Sequence, residues 1–383
     1  MITNKKYSKR PNKIKRKSYL RLHNSFLYQT LFFYRGSSET TRKAPFKLNI
    51  VQPSQDRALE SPRNYRINKE KFNFRDYWEY LPSHMKKFKR NNSRYYCNFL
   101  EWFIGFAEGD GCFCIKSQTP NSKKRLLFEI GQKDPKVLFW IKKMLGFGRV
   151  RCWTCSSTEK VFWVYTVDTK PNVKRIIALF NGNMLLPKRR FIFNKWVEEA
   201  AQTSCLPLMF NNKQQDINNG ISVSLNTAWL AGFIDAEGCF YARFSTPTPN
   251  QNSKISKVVK QKMHITQKSL FSDEMILQDI GDLFLSNAKV TKLSARIREK
   301  PKFQSPAFSE NLTNQTFNFR IEISSLQSQL LIIKYLSKFH LKTNKWIAFS
   351  RWKRIVLARE KKEHLVEARL PKFLKLAESI NNF

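Results

Sequence analysis

The sequence is poor in acidic residues and lacks any long apolar run. Only 29 of its 383 residues are Asp or Glu, against 69 Lys and Arg, so the formal net charge is +40. No segment approaches the ~18–20 consecutive apolar residues that cross a bilayer, which argues against an integral membrane protein. A chain with this much self-repulsion usually binds a polyanion, and we expect nucleic acid rather than a membrane surface.

Cysteine and histidine are also scarce, at seven and five residues. A small, odd number of cysteines argues against a disulfide scaffold and indicates a reducing compartment. Cys152 and Cys155 form one C-x-x-C pair, but no second pair or paired histidine follows at the spacing of a zinc site. Cys112 and Cys114 could complete four ligands only if the fold brought them beside that pair. We favour ordinary strand cysteines over structural zinc.

Apolar residues are plentiful: 42% of the chain is hydrophobic and 14% aromatic, enough for a buried core and two or three domains. The first 95 residues differ, with 24 Lys and Arg against 6 Asp and Glu. We expect residues 1–94 to form a basic, largely flexible extension. Its opening has the composition of an organellar transit peptide, and a nucleic-acid-binding arm has the same composition.

The remainder of the chain repeats itself. Each half follows a helix with two strands, a helix, two more strands and further helices. Three residue pairs align the halves: Gly105 with Gly232, Gln132 with Gln267, and Trp196 with Trp352. This is the pattern of an internal duplication. We predict a first repeat at 95–204, a linker at 205–224, and a second repeat with C-terminal helices at 225–383.

The first helix of each repeat ends in a similar motif, FIGFAEGDG at Phe103–Gly111 and LAGFIDAEG at Leu230–Gly238. Small residues four apart lie on one face of a helix and let two helix backbones approach closely. They are Gly105 and Gly109 in one helix, and Gly232 and Ala236 in the other. The motifs therefore predict that the two helices pack against each other.

One acid stands immediately before the glycine that ends each helix, Asp110 before Gly111 and Glu237 before Gly238. If the helices pair, both carboxylates meet at negative helix ends, which is unfavourable by dipole and by like-charge repulsion. Hard divalent cations with oxygen ligands would relieve that cost. A locally costly arrangement of this kind indicates a functional site. A lone acid would more simply be an exposed helix-end carboxylate.

The two motif copies resemble those of the LAGLIDADG homing endonucleases, and the resemblance covers about residues 95–360. It implies an α+β fold of tandem, pseudo-symmetric αββαββα repeats. Their two curved antiparallel sheets would form a saddle over DNA. It also implies that Asp110 and Glu237 bind the catalytic metal ions, with the preceding Gly109 and Ala236 at the same site. Glu108 and Asp235, the earlier acids of the motifs, are expected to be non-catalytic.

Further catalytic residues follow from the same resemblance. Gln132 and Gln267 match a glutamine near the metal-bound water, and Lys345 matches a basic residue near the phosphate. Lys345 stands seven residues before Trp352, and the residue seven before Trp196 in the first repeat is Arg189. Lys188 is its neighbour, so both residues stay candidates for the basic residue of the first repeat.

Strand alternation then assigns one face of each sheet to the major groove, where base edges are distinguishable. Any one of these residues could equally be a solvated surface residue. The prediction therefore rests on their shared position on one face of each sheet. The predicted DNA-binding residues are Lys116, Arg125, Glu129, Arg149, Arg151, Tyr241, Arg243, Lys262 and His264.

We interpret the chain as a monomeric, Mg²⁺-dependent, intron-encoded endonuclease acting on a long double-stranded DNA site. The Lys-, Asn-, Ile- and Phe-rich composition suits an AT-rich mitochondrial or plastid genome. One alternative is a maturase of the same fold that binds its host intron RNA, and another is a DNA-binding regulator without catalysis. An intein is disfavoured because the chain starts with Met1 and ends at Phe383 without splice-junction residues.

Overall fold

The computed structural model describes residues 72–83, 85–86, 93–117, 124–154, 161–202, 221–244, 259–269, 273–293 and 317–382. Residues 1–71, most of the expected basic extension, lie outside this part of the chain, as do residues 205–220 of the expected linker and Cys155. Among the described helices, none is both long and apolar enough to cross a bilayer.

A short helix precedes the first repeat, and the repeat itself begins with the longest described helix. The elements are α1 (Arg75–Tyr80), α2 (Ser93–Asp110), β1 (Gly111–Lys116), β2 (Arg125–Gln132), α3 (Lys136–Leu145), β3 (Arg149–Thr154), β4 (Val161–Val167), α4 (Lys170–Phe180) and α5 (Pro187–Gln202). The helix α3 ends where Gly146 adopts φ = 82°, and the Gly146 N–H closes the last turn onto the Lys142 carbonyl at 2.9 Å.

The second repeat has the same order of elements. They are α6 (Trp229–Glu237), β5 (Gly238–Phe244), β6 (Val259–Ser269), α7 (Asp273–Leu283), β7 (Thr291–Leu293), β8 (Phe317–Ile323), α8 (Leu326–Lys338), α9 (Lys345–Glu360) and α10 (Leu370–Glu378). Two 3₁₀ turns, Glu363–Leu365 and Glu367–Arg369, connect α9 to α10.

Each repeat forms its own four-stranded antiparallel sheet, in the orders β1-β2-β4-β3 and β5-β6-β8-β7. The first strand begins directly at the residue after the motif helix, and its pairing register is the same in both halves. Gly111 lies opposite Ile130, and Gly238 lies opposite Ile265. The predicted α+β class with tandem αββαββα repeats is therefore confirmed.

The aromatic landmarks of the duplication occupy equivalent places in the two cores. Trp196 on α5 packs against Phe113 on β1 with ring centroids 5.2 Å apart, and Trp352 on α9 packs against Phe240 on β5 at the same distance. Both tryptophans are fully buried. Large aromatic side chains dominate core energetics because each buries much apolar area. This packing explains why they keep equivalent positions in both halves.

The segment Phe72–Leu81 differs from the prediction of a flexible extension up to residue 94. Phe74, Tyr77 and Leu81 are buried, and the Tyr77 and Tyr96 hydroxyls lie 3.0 Å apart. The side chain of Asn183 forms two hydrogen bonds with the backbone of Asn73 at the start of the segment. Its Oδ1 accepts from the Asn73 N–H at 2.8 Å, and its Nδ2 donates to the Asn73 carbonyl at 2.7 Å. Three buried apolar side chains make this segment part of the core, although its surroundings in the sequence are basic and polar.

Replacing Tyr77 by Ala is expected to destabilise the protein by about 3–5 kcal/mol, because a fully buried aromatic side chain leaves a cavity. The measurement is the free energy of unfolding in urea. Tyr80→Ala, on the same helix at a side chain 37% exposed, is the matched control and should cost far less. Equal losses in the two variants would contradict the packing of α1 on the repeat.

Candidate active site and nucleic-acid interface

The two motif helices, α2 and α6, pack with their backbones in contact. A Cβ atom built on Gly105 would lie 2.0 Å from the Trp229 carbonyl oxygen, and one built on Gly232 would lie 1.9 Å from the Trp102 carbonyl oxygen. No side chain larger than hydrogen fits at either position while the helices stay this close. The predicted helix pairing through small residues is thus confirmed.

The same contact continues at the last turn of each helix. A Cβ on Gly109 would lie 2.2 Å from the Cβ of Ala236 and 3.2 Å from the Cγ of Glu237. The helices therefore remain in contact up to the residues that carry the two acids, Asp110 and Glu237.

Glu108, the earlier acid of the first motif, is fully buried and holds three parts of the fold together. One carboxylate oxygen accepts from the backbone N–H groups of Leu185 and Leu186, at 2.8 and 2.7 Å, and the other accepts from the indole N–H of Trp229 at 2.5 Å. Burial raises the pKa of Glu108 to about 7, and these hydrogen bonds oppose the rise. Glu108 thus links its own helix to the partner helix and to the start of α5.

Asp235 has the equivalent set of contacts in the second repeat. It accepts from the indole N–H of Trp102 at 2.8 Å, from the Lys342 N–H at 2.7 Å, and from the Thr343 hydroxyl at 2.6 Å. It thereby links α6 to α2 and to the start of α9. The two earlier acids therefore point away from solvent and engage structural partners, which agrees with the expectation that they are non-catalytic.

Asp110 and Glu237 end the two helices and belong to one electrostatic cluster. Burial and, to a smaller extent, the charge of Asp110 raise the pKa of Glu237 to about 7, against the opposing effects of Lys345, Arg189 and Lys188. Burial also raises the pKa of Asp110, against the effects of Lys345, Gln132 and Arg189. The two carboxylates therefore share Lys345 and Arg189 as neighbouring cations, as residues of a single site do.

Gln132 and Gln267, at equivalent ends of β2 and β6, do not have equivalent contacts. The Gln132 amide donates to Asp110 Oδ2 at 2.7 Å, so it directly orients that carboxylate. Gln267 is buried, and its side-chain oxygen lies without a hydrogen-bond partner. The structure thus joins Gln132 to Asp110 and leaves an unpaired, buried acceptor oxygen on Gln267.

Arg189, on the first turn of α5, binds the carbonyls that end α2. Its guanidinium donates to the Glu108 carbonyl at 2.6 Å, to the Gly111 carbonyl at 2.8 Å, and to the Gly109 carbonyl. Unpaired carbonyls at a helix C-terminus carry partial negative charge, and a cation there is stabilising.

Lys345, at the start of α9, makes the corresponding contact with α6. Its ammonium donates to the Ala236 carbonyl at 2.6 Å and lies 3.4 Å from the Ile234 carbonyl. Of the two first-repeat candidates, Arg189 is thus the geometric counterpart of Lys345. Lys188 instead donates to the Lys268 carbonyl of the second repeat at 2.9 Å, and remains within electrostatic reach of Glu237.

The donor set of this site consists of oxygen atoms, which suits a hard divalent cation. Asp110 and Glu237 supply two carboxylates, and the carbonyls of Gly109 and Ala236 lie in the last turns beside them, where Arg189 and Lys345 now bind them. The described residues contain no cluster of three or more His, Cys, Asp or Glu arranged for a metal. A cation held by the two acids would therefore complete its coordination with water or phosphate oxygens, and like-charge proximity of the acids favours such an ion.

The outward face of the first sheet carries the predicted basic residues. Lys116 pairs with Glu129 at 2.9 Å, and Arg125 and Arg149 both contact Asp168, the former at 2.8 Å. Arg151 is exposed, opposite Val164 on the neighbouring strand. Strand alternation located this face correctly. Asp168, which directly follows β4, was not among the predicted residues, although it stands two residues after Thr166 and the same alternation could have identified it.

On the second sheet the predicted residues likewise share the outward face. Arg243 is exposed, while Lys262 lies over the Tyr241 ring at 5.6 Å and bonds Glu322 at 2.7 Å. Burial and, to a smaller extent, the charge of Arg320 lower the pKa of His264 to about 4, so the imidazole is neutral near pH 7.

Two residues on β8 belong to this face and were not predicted. Arg320 lies 3.5 Å from Glu322, and its guanidinium donates to the Thr266 hydroxyl at 2.9 Å. Alternation with the buried Ile321 and Ile323 could have identified both, since every second residue of a strand shares a face.

A family model described as LAGLIDADG endonuclease matches residues 103–200 and 230–356 of this chain. A Neurospora crassa relative named "Probable intron-encoded endonuclease 4" is 29% identical over 285 residues, covering 74% of this chain and 44% of that protein. A Saccharomyces cerevisiae relative named "Intron-encoded RNA maturase bI4" is 26% identical over 257 residues, covering 66% and 35%. The chain thus spans less than half the length of both curated relatives.

The fold is also that of solved structures. The structure of I-SmaMI bound to an uncleaved DNA target in the presence of calcium ions aligns with a TM-score of 0.54 and 15% identity, covering 74% of this chain and 99% of that chain. At 15% identity the structural similarity shows a shared fold only, and that fold agrees with the two paired repeats described above.

Proposed function

Since this chain belongs to the LAGLIDADG endonuclease family, we propose that it is a site-specific endonuclease that hydrolyses both strands of double-stranded DNA. The observation that carries the proposal is the shared site of Asp110 and Glu237. The two acids end a pair of touching helices, the charge of Asp110 raises the pKa of Glu237, and both acids have Lys345 and Arg189 as neighbouring cations. Two basic, outward-facing sheets beside them provide the surface for the DNA.

In the proposed mechanism Asp110 and Glu237 hold divalent metal ions, with Mg²⁺ as the physiological ion. Bound ions of this kind would supply activation of the attacking water and stabilisation of the charge on the leaving oxygen. Gln132 fixes the rotamer of the Asp110 carboxylate through its 2.7 Å hydrogen bond. Arg189 and Lys345 supply positive charge beside the acids, where the charge of a scissile phosphate would be stabilised.

The duplication supports a monomer in which one repeat reads each half of the target. We propose that the repeats at 95–204 and 225–383, joined by residues 205–224, lie across one long duplex site. Residues 1–71 would add non-specific phosphate contacts. The intron-encoded relatives and the Lys-, Asn-, Ile- and Phe-rich composition support an organellar intron as the source of the chain, in a mitochondrion or a plastid.

The experiment is cleavage of a plasmid library of random inserts by the purified full chain with Mg²⁺, with EDTA as the control. We expect double-strand breaks at one long sequence, recovered by sequencing the ends, and no breaks with EDTA. Specific DNA binding without cleavage at any divalent ion would instead identify an inactive regulator.

A maturase that binds its host intron RNA is the second candidate, since one relative bears that name. This candidate is not favoured, because RNA binding does not require the half-buried pair of Asp110 and Glu237. Splicing of an intron RNA that depends on the protein and proceeds in the Asp110→Asn variant would support the maturase.

Replacing Arg243 by Ala is expected to relax base preference at one or two target positions. Arg243 is exposed on the outward face of β5. A bidentate contact to guanine contributes ~1–3 kcal/mol of discrimination. The measurement is relative cleavage of all single-base variants of the target. Lys142→Ala, which removes an exposed positive charge from α3, is the charge-matched control. A uniform loss over all targets would contradict base reading and indicate a phosphate contact.

A further inference from the structure

Two cysteines lie side by side on the outward face of β1, within four residues of the acid Asp110. The Sγ atoms of Cys112 and Cys114 are 2.9 Å apart, and Cys112 is exposed. Alternate residues of a strand share a face, which explains why both thiols point the same way. Neither cysteine has a role in the proposed hydrolysis.

The order of strands in the first sheet excludes a zinc site shared by Cys112, Cys114 and Cys152. Cys152 lies on β3, and both β2 and β4 separate β3 from β1. Strands are spaced about 4.8 Å apart, which puts the two cysteine positions roughly 14 Å from each other, too far for shared coordination. Among the cysteines that the structure describes, Cys112 and Cys114 therefore form a dithiol that Cys152 does not join.

We propose that Cys112 and Cys114 form a reversible disulfide by exchange with a low-molecular-weight disulfide such as oxidised glutathione, and that this disulfide inhibits the nuclease site. The Cys112 thiolate attacks one glutathione sulfur, giving a mixed disulfide and releasing one glutathione. The Cys114 thiolate then attacks the Cys112 sulfur and releases the second. The two protein thiols lose two electrons and two protons, and the glutathione disulfide becomes two glutathione thiols.

The geometry makes this disulfide formable but strained. Residues two apart in a strand have Cα atoms about 6.6 Å apart, at twice the ~3.3 Å rise per residue. Disulfides span Cα separations of ~4.4–6.8 Å, with most near 5.5–6 Å. Closing the bridge therefore shortens β1 locally, and a strained bridge is readily reduced. That lability fits a regulatory bond in a reducing compartment.

Backbone carbonyls at both ends of the shortened segment, Gly111 and Cys114, accept hydrogen bonds from side chains of α5. The Gly111 carbonyl accepts from Arg189 at 2.8 Å, and the Cys114 carbonyl accepts from the Trp196 indole at 3.0 Å. Arg189 and Trp196 both lie on α5. Contraction between the two anchor points shifts Arg189 relative to Asp110, and it also reshapes the face offered to DNA. The inhibitory effect, unlike the disulfide itself, rests on the proposed function.

The experiment treats the full chain with oxidised glutathione and then with dithiothreitol. Chymotrypsin cuts after Phe113, so only a disulfide keeps the peptides of Cys112 and Cys114 joined, and mass spectrometry detects the joined pair. We expect that pair to form, cleavage to fall at least about tenfold, and dithiothreitol to restore it. In Cys112→Ser, which lacks the attacking thiol, the oxidant should leave the variant's own rate unchanged. In Cys114→Ser the reaction should stop at the mixed disulfide, so that the Cys112 peptide carries one glutathione and no joined pair forms.

Cys239→Ser is the matched control, because Cys239 holds the position of Cys112 in the second repeat but has Tyr241 two residues later. Its oxidised form should lose activity as the wild type does. Unlinked Cys112 and Cys114 peptides after oxidation would overturn the disulfide, and a linked pair with undiminished cleavage would overturn the inhibition. A reduced chain that cleaves no DNA would instead refute the proposed function, while the peptide mapping still tests the disulfide.

Discussion

Replacing Asp110 by Asn, or Glu237 by Gln, should lower metal-dependent DNA cleavage by about 10³-fold or more, roughly 4 kcal/mol of transition-state stabilisation. Each variant keeps the shape of the side chain but removes a negative charge that would hold the metal ions. Binding of DNA without metal should persist or strengthen, because a carboxylate facing phosphates has been neutralised. The measurements are cleavage rates with Mg²⁺ and binding constants in EDTA on the same duplex.

Glu274→Gln is the control for this pair, because it neutralises an exposed acid in the first turn of α7. Its cleavage rate should match that of the wild type. Undiminished cleavage in both Asp110→Asn and Glu237→Gln would contradict the assignment of these two acids as the metal-binding residues.

Stability against pH provides a second readout of the same site in metal-free protein. The folded-state pKa of Glu237 is raised to about 7 from an ordinary value of 4.5. A raised carboxyl pKa means that the folded state binds the proton more tightly. The stability from this group is therefore present below pH 4.5 and lost as pH rises through about 7. The melting temperature of Glu237→Gln should fall less over that interval than that of the wild type.

Replacing Gly232 by Ala should destabilise the protein by about 3 kcal/mol or more, beyond the usual cost of overpacking. The added methyl would lie 1.9 Å from the Trp102 carbonyl oxygen and 2.8 Å from the Phe106 nitrogen, both backbone atoms that cannot rotate away. The helices must separate, which also moves Asp110 and Glu237 apart. Gly105→Ala, which meets the Trp229 carbonyl oxygen at 2.0 Å, should behave in the same way.

Gly131→Ala is the matched control, since a Cβ at this strand position meets nothing within 4 Å. It should leave stability unchanged or raise it by up to about 1 kcal/mol, because glycine loses more conformational freedom on folding. The free energies of unfolding in urea of the three variants decide the matter. A Gly232→Ala protein as stable as Gly131→Ala would show that the helices do not pack through their glycines.

Local pattern was sufficient to predict most of the architecture. The alternation of GCFCIK in β1 placed Phe113 in the core and Lys116 outside, and burial in the structure agrees. The spacing of small residues predicted that α2 and α6 touch, because residues four apart share a helix face. Periodicity determines which way a side chain points. It carries no information on which distant residue that side chain will meet.

The amino-acid sequence by itself therefore determined the repeats, the helix pairing and the acids that end the two helices. Only the tertiary structure separated Arg189, which binds the end of α2, from Lys188, which crosses to the second repeat. It also decided that Glu108 takes its partners from residues 77 to 121 positions away. Such contacts depend on how α5 and the motif helices pack in space, since burial forces each polar group to find whichever partner the packing brings near.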